Sequence, residues 1–165
     1  MALLETLVAA LEPWSTLYAE STALSVTLTF AHLGAMMVGG GLAIGADRVV
    51  LRAHPPADGA AEVALADAVG DVHRPVLIAL SISAVSGIAQ LAADLEALAV
   101  NRVLWVKLGL LLALAVNGAL MLRTETAMRR ESGGARAFTT LRRRAITSLV
   151  LWLAITLAGV GLLQG

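Results

Sequence analysis

His32 and Met36 stand one helical turn apart in an uncharged stretch, and that pair of residue types can do chemistry inside an apolar environment. An imidazole and a soft thioether on one helical face can share a small Cu(I) ion. The imidazole alone can instead serve as an axial ligand of haem b, which needs a second imidazole on the opposite side of the porphyrin. Met36 shares the face of His32, and His54 and His73 fall at other depths. Haem would therefore take its second ligand from a partner chain, such as another copy bringing its own His32. The same imidazole, hydrogen-bonded to a hydroxyl, can act as interhelical glue or belong to a path for a proton or small solute. Copper, haem, structural and transport readings all remain open at His32. No Ser/His/Asp set, paired buried carboxylates, phosphate loop or dinucleotide fingerprint accompanies it, so the chain is not expected to be an enzyme. Cysteine is absent, which excludes disulfides, thiolate metal sites and iron–sulfur clusters.

Other polar residues recur at helical spacing around this pair. Thr22, Ser25, Thr29, His32 and Met36 form one stripe, and Ser83, Ser86 and Gln90 form another. If the two helices are antiparallel neighbours rising ~1.5 Å per residue, Ser25 comes level with Gln90, Thr29 with Ser86 and His32 with Ser83. This predicts a polar interhelical seam. Gly34, Gly41 and Gly45 make a second, small face where close approach of a neighbouring backbone is expected. Lys107, Leu114 and Met121 share a face with Asn117 beside it, as do Ser148, Trp152, Thr156 and Gly159. Asn117 and Ser148 fall at equal depth and are expected to bridge their helices.

The elements that position these residues are membrane spans. Of the 165 residues, 58% are hydrophobic and 15% charged, with mean hydropathy +0.82. Soluble domains reach about 45–50% apolar even with Gly counted and carry about 25% charge. Formal charge runs out over 21–46, 75–93 and 145–164, and over 103–122 is broken only by Lys107. About 20 helical residues cross a bilayer, so these four runs predict an all-α, four-helix transmembrane bundle forming a single domain. Residues 47–74 and 123–144 connect them, with partly helical character. The second connection reads as span three prolonged to Arg130, with Glu125 and Arg129 paired four residues apart, and stopped by Ser132, Gly133 and Gly134.

Charge placement orients the bundle. Arg48, Arg52 and Arg74 lie in one connection, and Arg123, Arg129, Arg130, Arg136, Arg142, Arg143 and Arg144 in the other. The opposite side has only Arg102 and Lys107. The positive-inside rule places both connections in the cytoplasm and both termini outside. Arg142, Arg143 and Arg144 read as a topology anchor that also meets anionic lipid. Glu20 and Lys107 belong to an outer charged belt in which Lys107 is expected to be tethered to a carboxylate. Residues 2–12, with Leu3, Leu4, Leu7, Val8 and Leu11 on one face, predict an interfacial helix ended by Pro13. Net charge is zero, with 12 basic and 12 acidic residues, and offers no electrostatic reason for a nucleic-acid partner.

Glu20, then His32 followed by Gly39, Gly40 and Gly41, then the run Asn101-Arg102-Val103-Leu104-Trp105-Val106-Lys107-Leu108 continuing to Asn117, together resemble a group of small bacterial four-helix membrane proteins. That group is similar to the membrane domain of the copper resistance protein D family. The resemblance directs attention to His32, Lys107 and Asn117 and implies copper handling. An outer loop rich in Met or His, which a copper carrier would want, is missing. The reading that follows is an inner-membrane protein acting as a non-catalytic accessory or complex-forming subunit. Its expected partners are the bilayer and either a homo-oligomer or other membrane subunits.

Overall fold

A chain this apolar has to satisfy its backbone hydrogen bonds within each segment, which favours helices. The computed structural model describes residues 2–131 and 134–162, and every regular element among them is an α-helix. In chain order these are α1 (Ala2–Glu20), α2 (Thr22–Arg52), α3 (Gly59–Gly70), α4 (His73–Ala93), α5 (Leu95–Ala99), α6 (Arg102–Glu131) and α7 (Gly134–Leu162). Four stretches are long and apolar enough to cross a membrane: Thr22–Arg52, Gly59–Ala93, Arg102–Arg130 and Arg136–Gly161.

Local chemistry sets the boundaries. The Ser21 side chain accepts the Leu24 N–H at 3.3 Å and starts α2. Pro55 and Pro56 bias the chain after α2 away from helix, and Asp58 then caps α3 by accepting the Ala61 N–H at 2.8 Å. Asp71 and Val72 keep right-handed helical backbone, so α3 passes into α4 without a loop. Pro75 sits in the first turn of α4, where its missing N–H costs no intrahelical bond.

Helix α2 packs against both α4 and α7, α7 packs against α6, and α3 packs against α6. No comparable contact joins α4 to α6. The long helices therefore run α4, α2, α7, α6, with α3 closing the ring at one end. That end is termed the α3 end and the opposite one the α5 end. Val50, Val69, Met121, Met128 and Leu141 form a buried core at the α3 end, and Leu114, Trp152 and Ile155 form a second one nearer mid-bundle. Phe30, Met37, Val85, Leu112, Leu153 and Leu157 are exposed, as side chains facing lipid tails would be.

Two expectations are corrected. Helix α1 does not end at Pro13 but continues to Glu20. Its second half is held from outside, because Trp14 Nε1 donates to the Ala89 carbonyl at 2.9 Å and Ser15 Oγ to that of Ala93 at 2.7 Å. Close helix approach occurs at Gly39 and Gly40 rather than at Gly34, Gly41 and Gly45. A Cβ on Gly39 would lie 3.0 Å from Ala79 Cβ, and one on Gly40 3.2 Å from the Trp152 ring, whereas the other three glycines meet nothing within 4 Å. Helix α2 runs on to Arg52, and α6 continues to Glu131, beside the Arg130 to which span three was expected to extend. The expected stop at Ser132 and Gly133 lies outside the described residues, and α7 begins at Gly134.

Candidate functional site

The α2–α4 contact is built around His32. Its Nδ1 lies 2.8 Å from the Ser83 carbonyl oxygen, 3.3 Å from Ser83 Oγ and 3.4 Å from Ser86 Oγ. The short carbonyl contact makes Nδ1 the protonated nitrogen and leaves the lone pair on Nε2. Gly87 provides the space, because a Cβ there would sit 3.0 Å from His32 Cε1. Gln90 Nε2 donates to the carbonyls of Leu28 and Ser86, both at 3.3 Å. Ser25 instead donates to the Thr22 carbonyl of its own helix, and Thr29 is exposed. The seam is therefore shorter than its sequence pattern, since a helical hydroxyl finds the carbonyl of its own preceding turn first.

His32 and Met36 face different neighbours. His32 meets α4, while Met36 packs on the cluster of Leu114, Trp152 and Ile155. Among the described residues no group of three His, Cys, Asp or Glu side chains is arranged to hold a metal. Lys107 is half-buried with its Nζ near Gly159 of α7, and it lacks the expected carboxylate partner among the described residues. Its long stem carries the amine toward α7, and Glu20 is exposed at the end of α1.

The richer constellation lies toward the α3 end. A cavity of about 230 Å³ opens there between α2, α4, α6 and α7. Leu77, Leu80, Leu114 and Trp152 give it apolar walls, and Asp47, His73, Asn117 and Ser148 supply the polar ones. Asp47, Asn117 and Ser148 are all buried. Ser148 stands beside the Asp47 carboxylate, and Asn117 Nδ2 donates to the Arg144 carbonyl at 3.0 Å. Among the described residues nothing donates to Asp47 Oδ2 or Asn117 Oδ1. Asn117 and Ser148 thus share one cavity, and Asn117 joins α6 to α7 through the backbone one turn before Ser148.

Below the cavity, His73 Nδ1 donates to the Val69 carbonyl at 3.1 Å. Its Nε2 faces Glu125 Oε1 at 3.4 Å, an ion-pair distance without hydrogen-bond alignment. Arg129, one turn further along α6, crosses to α3 instead of pairing with Glu125. Its Nε lies 3.0 Å from Asp67 Oδ1, and its Nη2 donates to the Ala66 carbonyl at 3.0 Å. The guanidinium lies so close over Gly70 that any side chain there would collide with it. Asp47, Glu62 and Glu125 are all buried at this end, and among the described residues neither Asp47 nor Glu62 has an ion-pair partner. Arg142 and Arg143 are exposed on α7 and Arg144 is half-buried.

Asp47, His73 and Glu125 do not stand out as site residues in the sequence, yet the spacing of Asp47 and Glu125 carries a signal. From Met36, steps of four, three and four reach Gly40, Ala43 and Asp47, and from Asn117 steps of four reach Met121 and Glu125. The inward stripes of α2 and α6 simply continue past the uncharged runs. Comparison with protein-family models, curated proteins and solved structures returns no match.

Proposed function

We propose that the protein is a non-catalytic multi-pass subunit of a bacterial inner membrane, assembling through α2 with a second copy or another membrane protein. The observation that supports this reading is the open small-residue face of α2. Gly34, Gly41 and Gly45 meet nothing within 4 Å of where a Cβ would stand, and exposed Phe30, Leu33, Met37 and Val38 lie along the same helix. Small residues let helix backbones approach in lipid, where van der Waals packing replaces the hydrophobic effect. The arginines gathered at the α3 end favour a cytoplasmic location for that end, with α1 lying along the outer interface. Native mass analysis of detergent-purified protein is expected to show an oligomer or a complex that Gly41→Leu with Gly45→Leu reduces to the monomer. A wild-type chain that is monomeric throughout overturns the assembly. Reporter insertions between Arg52 and Asp58 are expected to read as cytoplasmic.

A second reading is favoured by the His32 tautomer. Donation of Nδ1–H to a backbone carbonyl is the arrangement that orients metal-bound imidazoles, and it leaves Nε2 as the ligating atom. With one such imidazole per chain, a haem or copper centre would join His32 of two copies. A Soret band or stoichiometric copper that disappears with His32→Ala supports this reading, and their absence from the wild type ends it.

A further inference from the structure

The cavity toward the α3 end holds buried acceptors that no group among the described residues satisfies. Asp47 is 2% exposed and Asn117 4%, both line the cavity, and Asp47 Oδ2 and Asn117 Oδ1 each lack a donor. The other polar atoms nearby are engaged. Asn117 Nδ2 serves the Arg144 carbonyl, Ser148 stands beside Asp47, and His73 is held between Val69 and Glu125. No cation of the chain pairs with Asp47 among the described residues. A buried carboxylate without a cation or a full set of donors is costly, so the site is built for a donor from outside the chain.

The shape narrows the chemistry further. Leu77 and Leu122 line the cavity yet are 57% and 40% exposed, and they mark a mouth on the lipid-facing side where α4 and α6 do not pack together. At about 30 Å³ for each water-sized group, the space holds roughly seven or eight heavy atoms. A neutral alcohol brings one donor, whereas a primary ammonium brings three N–H donors and the positive charge that Asp47 lacks.

We propose that this cavity binds a primary alkylammonium ion, with the ammonium against Asp47 and Asn117 and the alkyl chain along Leu77, Leu80 and Leu114. Such an ion is presented either by a free aliphatic amine or by an aminophospholipid headgroup reaching in through the α4–α6 mouth. The inference is independent of the assembly reading, because every residue it uses belongs to one chain. A monomer that binds amine would leave it standing.

The test uses the full chain in phosphatidylcholine nanodiscs and radiolabelled n-hexylammonium, with empty nanodiscs subtracted. Saturable binding is expected, weakened about tenfold or more by Asp47→Asn. Gly118 lines the cavity and has open space beyond its Cα, so Gly118→Leu is expected to block binding while leaving every polar group in place. Hexanol and hexanoate are expected not to compete. No saturable binding, equal competition by hexanol, or an unchanged midpoint in a folded Gly118→Leu protein each overturns the proposal. Adding phosphatidylethanolamine to the nanodiscs separates the two sources. A raised hexylammonium midpoint assigns the lipid headgroup, an unchanged one the free amine, and both uphold the ammonium chemistry.

Discussion

The two polar regions of the bundle solve the same problem in opposite ways. In the α2–α4 seam each polar side chain finds a partner close at hand: His32 donates to the Ser83 carbonyl, Ser86 to that of Ile82, and Gln90 to those of Leu28 and Ser86. The α3 end instead buries carboxylates on α2, α3 and α6, and among the described residues Asp47, Glu62, Asn117 and Glu125 each keep an acceptor without a hydrogen bond. In an apolar medium a satisfied network holds helices together, while an unsatisfied one carries a standing cost. Stability should therefore respond with opposite signs when the two regions are neutralised.

The largest effect is expected where the chamber rests on its apolar floor. Leu141 is fully buried between α3, α6 and α7, and Leu141→Ala should cost about 2–5 kcal/mol in an unfolding titration followed by helical circular dichroism. A loss well under that range would show that the α3 end can collapse around the void. Next comes Gly87→Leu, which drives a side chain into the His32 imidazole and should cost about 1–3 kcal/mol. Combining it with His32→Ala should recover part of that loss, and strict additivity would mean that the imidazole is not the obstacle.

Asp47→Asn tests the sign directly. Removing an uncompensated buried charge should leave the protein as stable or raise its stability by about 1 kcal/mol or more. Destabilisation would reveal a cation serving that carboxylate. The smallest effect is expected from His32→Ala, about 0.6 kcal/mol, the average for an interhelical hydrogen bond in a bilayer. Thr29→Ala, at an exposed position of the same stripe, serves as the unaffected reference in the same titration.

Much of the seam was legible because it is local to two helices with regular spacing. His32 and Ser83 follow from counting 1.5 Å per residue along antiparallel neighbours, and they do meet. Thr29 and Ser25 drop out because a hydroxyl can satisfy itself on its own helix, a choice invisible in the spacing. The chamber was harder to read. Asp47 and Glu125 stand just beyond the uncharged runs, where a charge ordinarily marks the water interface, and only the packing of the helices on one another buries them.

Glycine shows the same division. GxxxG spacing at Gly41 and Gly45 drew attention to a face that is open, while Gly39 and Gly40 carry the contacts with Ala79 and Trp152. Apolar length and the rule that a chain in lipid must bond its own backbone were enough to dictate helices and the four that are long and apolar enough to cross a membrane. Which faces meet, which charges go inside and where an acceptor is left without a donor depended on side chains tens of residues apart. Those relations come into being only when the helices pack.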